Sequence, residues 1–169
     1  MSPRAVVVGP PGSGKSTVGP LLAEHLGVGF RDADDDVVAA EGRSISDIFT
    51  TDGEAVFRAI EERSIAAALT EHDGVLSLGG GAVLSEATRA RLRGHVVVFL
   101  NVGMAVGVQR VGLSTARPLL AGVNPRATYK ELLDARLPVY REVATIEVAT
   151  DQRTPDEVVA AVAAELAAH

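Results

Sequence analysis

Nine residues near the start of the chain, Gly9-Pro10-Pro11-Gly12-Ser13-Gly14-Lys15-Ser16-Thr17, have the types and spacing needed to hold phosphate. The first eight match G-x-x-x-x-G-K-[ST] without a gap. Glycines let backbone N–H groups turn inward around phosphate oxygens. Lys15 can reach the β and γ phosphates, and the Ser16 hydroxyl can ligate Mg²⁺. Gly12, Ser13, Gly14, Lys15, Ser16 and Thr17 are therefore the expected nucleotide-binding residues. The motif does not name what receives the phosphate, because motor NTPases, GTPase switches and small-molecule kinases share it. The N/T-K-x-D guanine motif of a GTPase is absent, which disfavours a switch.

A second set of groups able to do chemistry lies in "FRDADDD", which holds Asp32, Asp34, Asp35 and Asp36. Carboxylates beyond the carboxyl end of a strand face the ligand crevice of an open α/β sheet. Asp32 is the candidate for Mg²⁺. Asp34, two residues on, can face the same side, where it would orient an acceptor hydroxyl and take its proton. Acidic residues also open helices favourably through the helix dipole, which accounts for Asp35 and Asp36 without any ligand. The strand "VLSLGG" lacks the usual Walker-B aspartate, which strengthens Asp32 as the metal candidate.

These groups need strands and helices to position them. Residues 5–9, 74–79 and 95–102 are nearly continuous apolar runs, as buried parallel strands should be. Residues 28–32 and 144–150 are shorter strand candidates. Helical stretches alternate with the strands, which predicts an α/β fold: three layers, with helices on both faces of a five-stranded parallel sheet. A helix from Lys15 to Leu26 follows the phosphate loop and points its positive end at the anion. Ser44 and Asp52 are the expected caps of the next helices, and Thr154-Pro155-Asp156-Glu157 reads as a capping box. Asn124-Pro125 opens a helix expected to stop near Leu137, before Pro138. Residues 112–124 have no clear period and read as a surface loop of a length uncommon without a function.

The chain has 169 residues, enough for one domain with a full core. Apolar residues make up 47%, and the net charge is −6. An acidic chain gains little from counterion release on nucleic acid, so no nucleic-acid partner is expected. No cysteine is present, so thiolate metal sites are excluded. No stretch approaches a membrane span or a signal sequence. A cytoplasmic, monomeric protein is the expectation.

Several further segments bring out one family. They are Asp32 and Asp34, "GRSISDIFTTDGEAVFRAIEE" (42–62), "LSLGGGA" (76–82), "RPLL" (117–120), "LLDARLPVYREVA" (132–144) and "TDQRTP" (150–155). With the phosphate loop, they make the chain resemble shikimate kinase over nearly its full length, a member of the nucleoside-monophosphate-kinase-like branch of P-loop NTPases. The resemblance implies MgATP-dependent phosphorylation of the 3-hydroxyl of shikimate, on the route to chorismate and the aromatic amino acids. It implies a single domain over 1–169, with a substrate-binding segment at about 33–61 and a lid at about 112–124. Asp34 would be the base. Arg58 and Arg136 would hold the substrate carboxylate, and Gly79, Gly80 and Gly81 would offer backbone N–H groups. Lys15 and Arg117 would act on the transferring phosphoryl, with Arg117 carried by the lid, and Arg110 and Arg153 would flank adenine.

Planar guanidinium groups suit a small carboxylate. The bland alternatives are helix-surface pairs, of Arg58 with Glu61 or Glu62 and of Arg136 with Glu131 or Asp134. The sequence departs from the family where an Ile-Glu pair is common and Val37-Val38 stands instead. Asp35 or Asp36 is the expected substitute for that glutamate. Ala33 occupies a position often held by threonine. A gluconate or nucleotide kinase of the same fold is the nearest competing reading, and a nucleotide-binding module without catalysis is the more distant one. The two arginines, carboxylate and glycine turn suit a small polyhydroxy acid better than a second base.

Overall fold

The computed structural model describes residues 2–111 and 125–169. Its strands are β1 (Ala5–Val8), β2 (Phe30–Asp32), β3 (Val75–Ser77), β4 (Val97–Asn101) and β5 (Ile146–Ala149). They form one parallel sheet in the order β2-β3-β1-β4-β5. The three central strands begin as the apolar runs predicted, and alternate residues feed opposite faces. Val6, Val8, Leu76, Val97 and Phe99 enter one core, while Ala5, Val7, Val75, Val98 and Leu100 enter the other. Burial on both faces explains why these strands read as unbroken hydrophobic runs.

Helices α1 (Lys15–Leu26), α2 (Ala33–Glu41), α3 (Ile45–Asp52) and α4 (Glu54–Glu71) follow the first two strands. A 3₁₀ turn (Ala82–Leu84), α5 (Glu86–Leu92), α6 (Met104–Val111), α7 (Pro125–Val143) and α8 (Pro155–Ala167) complete the described chain. Helices α1 and α8 cover one face of the sheet, and α4, α5 and α7 lie on the other. A separate small core of Val37, Ile48, Phe57 and Ile60 joins α2, α3 and α4 beside the sheet. Connections from β1 and β3 lead to opposite sides of β1. That reversal opens the crevice at the carboxyl ends of the central strands.

Two of the predicted caps hold, and the predicted start of α7 is found. The Ser44 hydroxyl accepts from Asp47 N–H at 3.1 Å, Thr154 and Glu157 form the reciprocal capping box, and α7 begins at Pro125. Two expectations are corrected. Asp52 does not cap α4: it closes α3 with its carboxylate on Arg43, and the cap of α4 is Gly53, whose φ of 89° makes the sharp turn. Pro138 does not end α7, which runs on to Val143. Proline in a helix costs about 3 kcal/mol. The loss is offset by Tyr140, which is fully buried, stacks on Phe99 at 4.9 Å and donates its hydroxyl to the Gly80 carbonyl.

Candidate active site

The phosphate loop joins β1 to α1, as its sequence requires. A tight turn spans Pro10 to Ser13, closed by Ser13 N–H on the Pro10 carbonyl at 3.1 Å, and Gly14 (φ 95°) caps α1. The Lys15 ammonium donates to the Gly9 carbonyl at 2.6 Å and to the Pro10 carbonyl at 3.1 Å. The loop walls a cavity of about 340 Å³ whose lining includes Gly12, Lys15, Ser16, Asp32, Asp34 and Arg110. Arg110 donates to the Gly12 carbonyl at 2.9 Å and to the Thr150 hydroxyl at 3.1 Å. On its other side is a smaller recess of about 240 Å³ that reaches Thr17, Arg153 and Pro155. The two residues expected to flank adenine thus line one recess beside the phosphate loop.

The expected acceptor side centres on the glycines after β3. None of Gly79, Gly80 and Gly81 has a positive φ, so their glycine character serves space rather than backbone conformation. A Cβ on Gly79 would lie 2.8 Å from Glu61 Oε2 and 2.9 Å from Asp34 Oδ1. On Gly80 it would meet Pro11 at 3.1 Å and Arg136 Nη1 at 3.3 Å, and on Gly81 it would fall on the Arg58 guanidinium. The turn therefore draws together Asp34, Arg58 and Arg136, which come from three different helices. Pro11 of the phosphate loop closes the same space.

Of the two helix-surface partners expected for Arg58, Glu61 pairs with it at 2.9 Å, whereas Glu62 accepts from the Ser85 hydroxyl; Glu54, one turn earlier, is the second carboxylate on Arg58 at 3.4 Å. Glu61, however, is buried, and the Arg58 guanidinium lies 5.2 Å from the Phe57 ring centroid and 6.0 Å from that of Phe49. The ion pair fixes the direction of the Arg58 side chain, and the two rings wall its other side. Burial pushes the Glu61 carboxyl above its ordinary range; Arg58 opposes this and Asp34 adds to it. Arg136 is buried and has no carboxylate at ion-pair distance among the described residues, since Asp134 pairs with Lys130 at 2.7 Å. Burial lowers its pKa, and Arg58 contributes in the same direction while Tyr140 opposes. A buried guanidinium with no anionic partner, close to a second guanidinium, is a site that favours an anion.

Asp32 ends β2 level with Ser77 of β3 and caps α2, taking Asp34 N–H at 2.9 Å. Burial pushes its carboxyl up to about 6; the cap bond and Lys15 oppose this, and Asp34 and Asp35 add to it. Ser16 and Asp32 line the same cavity and offer only oxygen, the donor set that Mg²⁺ prefers. No group of three or more His, Cys, Asp or Glu among the described residues makes a metal cage.

The expected substitution for the missing glutamate is corrected. Asp36 pairs with Arg31 at 2.8 Å, and the carboxylates on Arg58 are Glu61 and Glu54 from its own helix. Val37 is buried in the small core and Val38 is exposed. Glu61 and Tyr140 are site residues that sequence reasoning missed. The signal for Glu61 was only its place three residues after Arg58, which is equally that of a surface pair. Arg117 and the 112–124 segment lie outside the described residues.

A family model described as shikimate kinase matches residues 11–167. The chain belongs to the shikimate kinase family. Its similarity to the shikimate kinase of Saccharopolyspora erythraea is 73% identity, over 94% of this chain and 91% of that protein. The shikimate kinase of Streptomyces avermitilis is 60% identical over 95% and 93% of the two chains. A solved shikimate kinase from Acinetobacter baumannii, in complex with shikimate, superposes with a TM-score of 0.94 at 33% identity. That match covers 99% of this chain and 94% of the other. The superposition extends over the five-stranded parallel sheet and its flanking helices, so the fold described above is that of solved shikimate kinases.

Proposed function

We propose that this chain transfers the γ-phosphoryl group of ATP to the 3-hydroxyl of shikimate, giving shikimate 3-phosphate and ADP. The observation that carries the reading is the glycine turn 79–81, where Asp34, Arg136 and Arg58 converge one van der Waals contact from the phosphate loop. Family membership supports it. Arg58 and Arg136 bind the carboxylate of the acceptor, and the turn lets its ring approach the main chain. Asp34 accepts the proton of the 3-hydroxyl as that oxygen bonds to the γ-phosphorus and the bond to the ADP oxygen breaks. Lys15 follows the charge on the transferred group. Gly12 to Thr17 hold the phosphates, and Arg110 and Arg153 flank the base.

Ser16 and Asp32 are the residues that would hold Mg²⁺, which when bound neutralises charge on the β and γ oxygens. Arg117 is assigned to the phosphoryl group, and 112–124 to the lid, by the family pattern alone. The substrate-binding segment is 33–61 within a single domain. No helix among the described residues is long and apolar enough to cross a membrane. A cytoplasmic monomer acting on two small molecules is the reading this completes.

A coupled ADP-release assay with shikimate, gluconate, AMP or no acceptor tests it. ADP release should depend on shikimate and not on the other two. Release that is indifferent to shikimate would overturn the assignment.

A further inference from the structure

Four consecutive carbonyls of the phosphate loop are each held by a side-chain donor. Lys15 takes those of Gly9 and Pro10, and Arg110 takes that of Gly12. The Pro11 carbonyl is taken by the Tyr129 hydroxyl at 2.6 Å. Tyr129 belongs to α7, is fully buried, and is far from the loop in sequence. A Cβ on Gly107 of α6 would overlap its hydroxyl, so the ring fits only because that helix carries glycine there.

The position of this bond matters because Pro11 and Gly12 are the central residues of the turn closed by Ser13 N–H on the Pro10 carbonyl. Proline at the first central position and a φ of 82° at Gly12 mark a type II turn. The central peptide of such a turn has an alternative, the type I orientation, in which its carbonyl and N–H exchange sides. A peptide plane is rigid, and its C=O and N–H point in opposite directions. Holding the Pro11 oxygen on α7 therefore turns the Gly12 N–H the other way, and Gly12 lines the phosphate cavity.

We infer that Tyr129 is a positioning residue for the nucleotide: its hydroxyl locks the Pro11–Gly12 peptide in the orientation that binds phosphate. Burial raises the Tyr129 pKa well above the ordinary tyrosine value, which keeps the hydroxyl a donor. Tyr140 lies about three helical turns further along α7 and does the equivalent on the acceptor side, donating to the Gly80 carbonyl. One helix thus braces the donor loop with one hydroxyl and the acceptor turn with another.

The inference rests on reading the loop as the nucleotide site, and calorimetry with MgADP and with shikimate separates the two. Tyr129→Phe should raise the MgADP dissociation constant roughly ten-fold, the loss of one buried hydrogen bond's worth of orientation, and leave that for shikimate within about twofold. Gly107→Ala, which displaces the hydroxyl without removing it, should reproduce this pattern. Its result decides the matter if Tyr129→Phe does not fold. Tyr140→Phe should show the opposite pattern, weakening shikimate and sparing MgADP. Unchanged MgADP affinity in a folded Tyr129→Phe protein overturns the inference, as does equal weakening of both ligands. Failure of the wild-type chain to bind MgADP would overturn the nucleotide reading and this inference with it.

Discussion

The Glu61 carboxylate meets the Arg58 guanidinium at 2.9 Å, three residues on along α4, in a place where Glu61 is only 2% exposed. Its second oxygen, Oε2, finds no hydrogen-bond partner among the described residues and faces Gly79. The carboxyl pKa is raised because burial outweighs the attraction of Arg58. Ionised Glu61 is therefore no aid to the fold, and its benefit lies in aiming Arg58. Glu61→Gln should leave thermal stability unchanged or slightly higher. It should also raise the shikimate KM about ten-fold, with the ATP KM little changed. Steady-state kinetics beside a melting curve check this; an unchanged shikimate KM removes Glu61 from the aiming role.

Alanine at the glycine turn should produce different defects at adjacent positions. A Cβ at 79 strikes Asp34 and Glu61, whereas one at 81 strikes Arg58. Gly79→Ala should therefore lower kcat, by roughly a hundred-fold, since a misplaced base costs about that much. Gly81→Ala should act chiefly on the shikimate KM. Identical kinetic defects in the two variants would count against this geometry.

Asp34→Asn should abolish turnover while MgADP still binds, because it removes the base and leaves the phosphate loop intact. Loss of nucleotide binding would put Asp34 in a different role. Arg136→Ala should weaken shikimate binding by about ten- to a hundred-fold, the value of a charge-assisted pair, which equilibrium titration with shikimate measures directly.

The Asp32 carboxyl is pushed from its ordinary 3.8 up to about 6, so the folded chain holds a proton that the unfolded chain releases between those values. Its contribution to stability of the ligand-free protein is fully present at the acid end of this window. It is lost as pH rises through about 6. Asparagine can still cap α2, so Asp32→Asn should fold and lose this part of the pH slope. In the wild type, MgADP affinity should fall on acidification below about pH 6, as protonation removes the anionic oxygen. Melting curves and nucleotide titrations from pH 4.5 to 7.5 would show both trends. The same slopes in wild type and variant would refute them.

The phosphate loop, the buried strands and the capping box were legible because each rests on interactions within a few residues. Gly9 to Ser16 carry the backbone freedom and the lysine of a phosphate cradle, and unbroken runs such as 5–9 are what burial on both sheet faces demands. The ends of elements were less legible. Pro138 reads as a stop until Tyr140 is anchored on Phe99 and Gly80, and Asp52 reads as a cap until Gly53 turns the chain. Arg58 had a surface pairing and a ligand role open to it, and sequence spacing could not separate them.

By itself, the sequence determined that this protein binds a nucleotide's phosphates on an α/β sheet, and its motifs named the family of the acceptor. Only the tertiary structure decided which groups hold those motifs in working order. Glu61 became a buried aiming residue because α4 turns it toward Gly79, and Tyr129 and Tyr140 became braces because α7 crosses both the donor loop and the acceptor turn. Local chemistry is written in neighbouring residues. A hydrogen bond from Tyr129 to Pro11 depends on how the sheet and helices bring distant parts of the chain together, and no spacing in the sequence encodes it.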